Sequence, residues 1–214
     1  MTRVIVASGN AHKVRELRAM IQGVAPGWNV VGLGALPGAP DIAETADTFE
    51  GNAILKAQGI AAWLRASGEP GDSRVLADDS GLCVDALDGA PGVWSARFAG
   101  HGASDADNNR RLVAELTARG LSESPAHYVC VLAWTRVDAQ ELRCFHGRWD
   151  VVVRVTPRGT GGFGYDPHAF LGPDGPTVAE LETEAKAKIS HRGQAMRALC
   201  EWLGTSSSAG GPRQ

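Results

Sequence analysis

Two adjacent carboxylates follow a short apolar run in the first half of this chain. The run 75–77 leads directly into Asp78, Asp79, Ser80 and Gly81. An apolar run of this kind is typical of a buried strand, and carboxylates crowded at its end repel each other unless a cation lies between them. Mg²⁺ takes oxygen ligands and usually shares them with phosphate groups. The loop 77–81 therefore predicts a metal site at a strand end or, as the simplest alternative, an acidic turn in solvent.

Two arrangements of the adjacent Asp78 and Asp79 side chains are possible. If strand geometry continues through the pair, Asp78 and Asp79 point to opposite sides of the strand. One carboxylate would then face the metal, and the other would hold the loop by hydrogen bonds. A bend in the backbone would instead bring both carboxylates to the metal, and the sequence leaves the two forms open.

Apolar periodicity predicts one mixed α/β domain over residues 1–203. Helix-like spacing occurs at 11–21, 48–66, 104–119 and 192–203, and strand-like runs occur at 4–7, 28–33, 75–77, 128–137, 141–145 and 151–155. Residues 138–140 lie between two of these runs as in a hairpin, so we expect a mixed rather than a purely parallel sheet. Thr45, Asp47 or Thr48 would cap the second helix. Residues 204–214 are small and polar, which predicts a disordered tail.

Composition excludes several classes of function. The formal charge is −3, so no overall positive field is present to hold nucleic acid nonspecifically. The four cysteines are scattered without a Cys-x-x-Cys motif, which argues against a zinc site or a disulfide framework. No apolar run approaches the about 18 residues of a membrane span, and the N-terminus shows no signal peptide. We therefore expect a cytoplasmic protein without nucleic-acid or membrane partners.

A glycine turn links the first predicted strand to the first predicted helix. Backbone N–H groups at such a helix start form a cradle for phosphate, and Lys13 adds a positive charge. The segment lacks the Gly-Lys-Ser/Thr core of a Walker loop, and an ordinary strand-to-helix turn remains the alternative. The candidate phosphate-binding residues are Ser8, Gly9, Asn10, Ala11, His12 and Lys13.

The second predicted helix carries a lysine on the same face as an asparagine. Asn52 and Lys56 are four residues apart and therefore share one helix face, while Glu44 lies in the loop before the helix. Lys56 is placed among alanine and isoleucine residues, where it would either extend its ammonium group to solvent or direct it at a phosphate. A solvated helix face explains the pattern equally well.

A glycine-rich segment at 159–167 carries aromatic and acidic residues. It contains Gly-x-Gly-x-x-Gly, but Pro167 and further loop follow where a dinucleotide-binding fold requires a helix. Phe163 and Asp166 would suit a flat ligand, the first by stacking on a base and the second by hydrogen bonding to its edge.

Two cationic residues stand at the predicted start of the last helix. Ser190 is a good helix cap, which places His191 and Arg192 in the first turn, where the helix dipole disfavours positive charge. A purely structural account does not explain this choice, whereas a ligand that accepts hydrogen bonds, such as a purine carbonyl, would explain it. Lys186 precedes this group.

Six blocks together resemble the inosine/xanthosine triphosphate pyrophosphatase family, the RdgB/ITPase-like enzymes. The resemblance covers about residues 3 to 203, and His12 stands where the family usually has glycine. The blocks, in chain order, are Gly9-Asn10 with Lys13; Glu44-Thr45 with Phe49, Asn52-Ala53 and Lys56-Ala57; Ala77-Asp78-Asp79-Ser80-Gly81-Leu82; Gly89-Ala90-Pro91-Gly92-Val93; Gly162-Phe163-Gly164-Tyr165-Asp166-Pro167; and Ser190-His191-Arg192-Gly193.

The resemblance implies an elongated α/β fold, with a long mixed sheet and flanking helices in two lobes around a central cleft. It also implies a homodimer that requires Mg²⁺. The implied reaction splits ITP, dITP or XTP between the α- and β-phosphates into a monophosphate and pyrophosphate. Such a reaction would remove deaminated purines from the nucleotide pool before they enter DNA or RNA.

The resemblance also assigns roles to individual residues. Asp79 is the implied general base, and Glu44 and Asp79 would hold the Mg²⁺. The segment 8–13 and Lys56 would bind the triphosphate. Donors at the base would match a 6-oxo acceptor and leave the 6-amino group of adenine unpaired. The other implied substrate-binding residues are Ser80, Phe163, Gly164, Tyr165, Asp166, Lys186, His191 and Arg192.

Two other functions stay open from the sequence. One is a nucleotide sensor that binds on the same fold without turnover. The other is a related pyrophosphatase that acts on modified pyrimidine nucleotides or on standard nucleotides.

Overall fold

A computed structural model describes residues 2–138 and 141–208 of the chain, with side chains as far as residue 204. Strands and helices alternate through the first two thirds, as the sequence predicts. The strands are β1 (Arg3–Ala7), β2 (Asn29–Gly32), β3 (Arg74–Val84), β4 (Glu123–Arg136), β5 (Leu142–Arg154) and β6 (Ala169–Phe170). The helices are α1 (Ala11–Val24), α2 (Phe49–Ala66), α3 (Asp105–Ala118), α4 (Thr183–Ile189) and α5 (His191–Ser208).

The six strands form one mixed sheet in the order β2-β1-β3-β4-β5-β6. Strand β1 is parallel to both neighbours, with Val6 paired to Gly32 of β2 and to Leu76 of β3. Strand β5 is antiparallel to β6. Parallel and antiparallel pairs therefore occur together, which confirms the predicted α/β class and the mixed sheet.

The chain divides into two compact units. The first unit contains residues 1–79, 131–147 and 192–214, and the second contains residues 80–130 and 148–191. Ile5, Leu17, Ile60 and Leu76 are buried in the core of the first unit. In the second unit, Leu82, Val84, Leu112, Leu116 and Val153 belong to one buried cluster. The boundary between the two units falls within β3, because Asp79 belongs to the first unit and Ser80 to the second.

The structure corrects one element that is central to the site. The sequence predicts that the strand ends at Ala77 and that 77–81 is a loop, but β3 continues through Asp78, Asp79 and Ser80 as far as Val84. The prediction is wrong because both carboxylates find cationic partners inside the fold, as described below, and can therefore stay buried in a strand.

Other element boundaries differ in smaller ways. The runs 141–145 and 151–155 belong to the single strand β5. Of the three candidate caps, Thr48 caps α2, because its side chain accepts from the backbone N–H of Gly51. Helix α5 begins at His191 and runs to Ser208, so it includes residues 204–208 of the predicted tail. Residues 209–214, and residues 139–140 of the predicted hairpin, lie outside the described residues.

No helix among the described residues is long and apolar enough to cross a membrane.

Candidate active site

The glycine turn between β1 and α1 is closed by its own polar side chains. The side chain of Asn10 accepts from the backbone N–H groups of His12 at 2.9 Å and of Lys13 at 3.2 Å. The hydroxyl of Ser8 accepts from the N–H of Asn10 at 3.2 Å. The turn is exposed, so it is open to a ligand. Two N–H groups of the predicted phosphate cradle are nevertheless bound by Asn10 in this structure.

Asp78 lies at the centre of a buried ion-pair network in the first unit. Lys13 Nζ is 2.6 Å from Asp78 Oδ1, and Arg192 Nε donates to Asp78 Oδ2 at 2.8 Å. Arg192 Nη1 also donates to Glu16 Oε2 at 2.7 Å. Burial raises the pKa of Asp78, but the charges and hydrogen bonds of Arg192 and Lys13 outweigh it and hold this pKa well below its usual value. Asp78 is therefore ionised and structurally bound.

Arg192 consequently has a structural reason for its place at the start of α5. The sequence argument that only a ligand explains a cation there is wrong, because two carboxylates of the first unit compensate the unfavourable helix dipole. Glu16 is a partner that sequence reasoning missed. The available signal was its position three residues after Lys13 on α1, which places the two side chains on one face.

Lys56 joins the two predicted metal ligands. Its ammonium group donates to Glu44 Oε1 at 2.8 Å, to Asp79 Oδ1 at 2.7 Å and to the backbone carbonyl of Asp78 at 2.8 Å. A lysine ammonium has three donors, and these three acceptors use all of them. Lys56 therefore orients the carboxylates in this structure, and it would have to exchange an acceptor to bind a phosphate.

The two adjacent aspartates have separate partners. The carboxylate of Asp78 contacts Lys13 and Arg192, whereas that of Asp79 contacts Lys56. This is the arrangement expected of consecutive residues in a straight strand, and it favours the form in which the two carboxylates point to opposite sides. The carboxylate of Asp79 shares Lys56 with the carboxylate of Glu44.

Burial and neighbouring charges shift the pKa values of Lys56 and Asp79. Burial lowers the pKa of Lys56, but the charges of Asp79 and Glu44 outweigh it and raise the pKa. Burial raises the pKa of Asp79, and Lys56 only partly offsets this effect. The pKa of Asp79 is therefore higher than that of an ordinary aspartate.

The donor set around Asp79 fits a magnesium ion shared with a phosphate ligand. Asp79 Oδ2 is buried and makes no hydrogen bond within the described part of the chain, and Glu44 Oε1 lies 2.8 Å from the ammonium group that Asp79 also binds. No cluster of three or more metal-binding side chains occurs among the described residues. Mg²⁺ is commonly held by one or two carboxylates together with water and substrate phosphates, so a pair such as Glu44 and Asp79 would be sufficient to hold it.

A second polar cluster, in the second unit, is centred on Asp166. Lys186 Nζ is 2.6 Å from Asp166 Oδ2, which also accepts from the N–H of Phe163 at 2.9 Å. Tyr128 Oη is 3.4 Å from Asp166 Oδ1. A Cβ at Gly162 would lie 2.1 Å from Asp166 Oδ2, so only glycine allows this close approach. The carboxylate of Asp166 therefore fastens the glycine-rich segment to Lys186.

Aromatic rings and cations are stacked around this cluster. Lys186 Nζ lies 4.6 Å from the ring centroid of Phe163. His191 is buried and stacks on Tyr128 with centroids 4.8 Å apart and planes inclined by 8°. Tyr128 was missed by sequence reasoning because an aromatic residue in a strand-like run is expected in any core. Its contacts with His191 and Asp166 make it part of this cluster.

Three other residues that the sequence predicts to bind substrate, Tyr165, Gly164 and Ser80, belong to the second unit. Tyr165 donates its hydroxyl to the carbonyl of Ser95 at 2.9 Å. The N–H of Gly164 donates to Asp105 at 2.6 Å. Both therefore anchor the segment to the rest of the unit. Ser80 is half-buried in β3.

The predicted site residues thus fall into two groups. One group lies in the first unit and combines Glu44, Lys56, Asp79 and Arg192 with the segment 8–13. The other lies in the second unit and combines Ser80, Lys186 and His191 with the segment 163–166.

Comparison with known proteins gives consistent matches over nearly the whole chain. A family model described as the Ham1 family matches residues 4–202. A dITP/XTP pyrophosphatase of Geobacter sulfurreducens is 44% identical over 204 residues, which cover 95% of this chain and 98% of that protein. A dITP/XTP pyrophosphatase of Streptomyces coelicolor is 45% identical over 201 residues, covering 93% and 96%. A HAM1 protein of Coxiella burnetii has a solved structure with a TM-score of 0.82 at 35% identity, covering 96% of this chain and 100% of that one.

Proposed function

The chain belongs to the Ham1 family, and from this premise we propose that it hydrolyses dITP, ITP and XTP to the monophosphate and pyrophosphate. The enzyme class, a hydrolase of nucleoside triphosphates, follows from the family and from the relatives' names. The observation that carries the proposal is the meeting of Lys56 with both Glu44 and Asp79 in the first unit. This group places cationic and carboxylate chemistry together, as phosphoryl transfer requires.

We assign the triphosphate part of the substrate to the first unit. Lys13 is partly exposed and stands at the start of α1, where it can add its charge to the N-terminal end of the helix. Glu44 and Asp79 would hold Mg²⁺, which when bound supplies positive charge at the phosphate oxygens. Lys56 keeps the two carboxylates together before substrate arrives.

We assign the proton acceptor of the reaction to Asp79. Hydrolysis of a phosphoanhydride needs a group that orients the attacking water and accepts its proton. The pKa of Asp79 is raised by burial, which moves it toward the range where a carboxylate is an effective base. Asp78 does not suit this role, because Arg192 and Lys13 hold its carboxylate.

We assign the purine base to the second unit. Phe163 presents a flat ring with Lys186 over one of its faces, and a purine would stack on such a ring. Lys186 and His191 supply hydrogen-bond donors, which match the 6-oxo group of hypoxanthine and xanthine and disfavour the 6-amino group of adenine. Arg192, the other donor predicted from the sequence, belongs to the first unit and donates to Asp78 and Glu16 in this structure.

The proposed hydrolysis would have a protective role in the cell. Removal of deaminated purine triphosphates would keep them out of DNA and RNA. We place this activity in the cytoplasm, with a second copy of the chain as partner in a homodimer. Light scattering of the purified protein tests the dimer.

A panel of nucleotides tests the proposed activity. We expect pyrophosphate release with Mg²⁺ and ITP, dITP or XTP, with kcat/KM far above the values for ATP, GTP and dUTP. Equal turnover of standard nucleotides or a preference for a modified pyrimidine nucleotide would contradict the proposed substrate class. Tight binding of ITP without product would instead identify a nucleotide sensor.

A further inference from the structure

The segment that carries Glu44 lies directly against helix α2. A Cβ at Gly51 would be 2.6 Å from the Cβ of Ala46, and a Cβ at Gly59 would be 2.7 Å from Cδ1 of Ile42. Ile42 and Ala46 stand on either side of Glu44 in the sequence. The side chains of Ile42 and Ala46 therefore pack against α2 at two positions where the helix has no side chain.

Asn52 fastens this segment to the same helix. Its side chain is completely buried, and Oδ1 accepts from the backbone N–H of Ala46 at 2.9 Å. Its Nδ2 is buried and has no hydrogen-bond partner within residues 2–138 and 141–208. Asn52 lies one helical turn before Lys56, whose ammonium group binds the carboxylate of Glu44. The loop is thus bound to α2 both through the side chain of Glu44 and through its backbone.

We propose that Asn52 is a positioning residue, which holds the backbone near Glu44 and thereby sets the affinity of the site for a divalent cation. This rests on the proposed function, in which Glu44 is a metal ligand. Lys56 competes with a cation for the carboxylate of Glu44, whereas Asn52 binds only the backbone and does not compete. The Asn52 contact therefore keeps Glu44 in place when the carboxylate exchanges its partner.

The chain provides a matched control for a merely structural role. Asn108 is likewise buried in a helix, and its Oδ1 accepts from the backbone N–H of Ala99 at 2.8 Å. It fastens a loop to α3 in the second unit, whereas the proposed metal ligands belong to the first unit. Loss of either asparagine removes a buried hydrogen bond to a backbone N–H, and Asn108 also donates from Nδ2 to the carbonyl of Ala96 at 3.2 Å. The control variant therefore loses at least as many hydrogen bonds as the test variant.

The experiment measures Mn²⁺ binding to the full, metal-free protein by electron paramagnetic resonance. We expect Asn52→Leu to raise the Mn²⁺ dissociation constant about 10-fold or more, the usual effect of losing a group that orients a metal ligand. Asn108→Leu should lower the melting temperature similarly and leave the dissociation constant within about two-fold of wild type. Glu44→Gln, measured alongside, should weaken Mn²⁺ binding directly.

A second pair of variants covers the case in which Asn52→Leu does not fold. Gly51→Ala places a methyl group against Ala46 and should also weaken Mn²⁺ binding, although alanine favours a helix more than glycine does. The double variant Gly51→Ala/Ala46→Gly removes the clash and should restore the affinity. A methyl at position 51 would also lie 3.0 Å from Oγ1 of Thr48, and restoration by Ala46→Gly excludes that contact as the cause.

The outcomes separate this inference from the proposed function. Unchanged Mn²⁺ affinity in Asn52→Leu, with weakened binding in Glu44→Gln, would overturn the positioning role alone. An equal loss in Asn108→Leu would also overturn it, because the effect would then be general destabilisation. Unchanged binding in Glu44→Gln would overturn the metal assignment in the proposed function and this inference with it.

Discussion

Arg192 Nε donates to Asp78 Oδ2 over 2.8 Å, although the two residues are 114 positions apart in the chain. Both side chains are almost completely buried, at 2% and 0% exposure. Arg192 therefore compensates a carboxylate that has no access to solvent, and its substitution affects more than a ligand contact.

We predict that Arg192→Ala lowers the free energy of unfolding by about 3 kcal/mol, because removal of one partner leaves buried charge uncompensated. Lys13 remains beside Asp78 and limits the loss. The double variant Arg192→Ala/Asp78→Asn should recover part of the stability, since it removes the excess negative charge. Urea unfolding of the wild type and both variants measures this, and equal stability of Arg192→Ala and wild type would contradict the prediction.

The role of Arg192 in choosing the base is a separate prediction. We expect Arg192→Ala to narrow the ratio of kcat/KM for ITP over ATP by about 10-fold or more, because a charged hydrogen bond is worth about 1.5–3 kcal/mol. Lys13→Ala should weaken both substrates alike, since phosphate contacts carry no information about the base. An equal loss for ITP and ATP in Arg192→Ala would make Arg192 a phosphate-binding or structural residue, and the proposed role in base selection would be wrong.

Asp79→Asn should abolish turnover and leave the fold intact. The substitution removes both a carboxylate of the proposed Mg²⁺ site and the proposed proton acceptor, while the amide keeps the shape of the side chain. Pyrophosphate release and circular dichroism check the two parts of this prediction. Turnover within a few-fold of wild type would show that the base is another residue.

Activity should depend on an added divalent cation and should rise toward alkaline pH. Glu44 and Asp79 are the only carboxylates that we assign to Mg²⁺, and a cation at such a site lowers the pKa of its water. Titration with Mg²⁺ and a pH series with ITP measure both effects. Full activity in excess EDTA would exclude the metal from the reaction.

The stability of the fold should depend on the ionisation of Asp78. Its pKa in the folded protein lies well below its usual value, since Arg192 and Lys13 outweigh the effect of burial, and the unfolded value is about 3.9. A depressed folded pKa contributes stability that is present above the unfolded pKa and is lost as the pH falls through the folded pKa. The stability difference between wild type and Asp78→Asn should therefore shrink on acidification below about pH 4. A difference that stays constant over this pH range would show that the pKa of Asp78 is not lowered in the folded protein.

Local patterns in the sequence predicted much of what the structure contains. Helix α2 starts where its cap residue predicts, because Thr48 and Gly51 interact within one turn. The mixed sheet follows from strands that alternate with helices and from the hairpin-like runs. The family resemblance was also available, because it rests on short blocks that can be read without the fold. The predicted roles of Glu44 and Lys56 in metal and phosphate binding stay predictions.

The errors lie where distant residues decide the outcome. The predicted loop at Asp78 is a strand, because cations from α1 and α5 stabilise its buried carboxylate. The supposed lack of a structural partner for Arg192 was an error of the same kind. Neither partner of Arg192 is near it in sequence.

The sequence by itself therefore determined the kinds of elements, their caps and the chemical groups available to the site. These depend on propensities and on contacts within a few residues. Only the tertiary structure decided which charges neutralise each other, and that the three donors of Lys56 bind Glu44, Asp79 and a backbone carbonyl. It also decided that Tyr128 contacts Asp166 and His191 and that Asn52 binds the backbone of Ala46. The physical reason is that burial and ion pairing are set by the order of strands in the sheet, which brings together side chains that the chain itself keeps far apart.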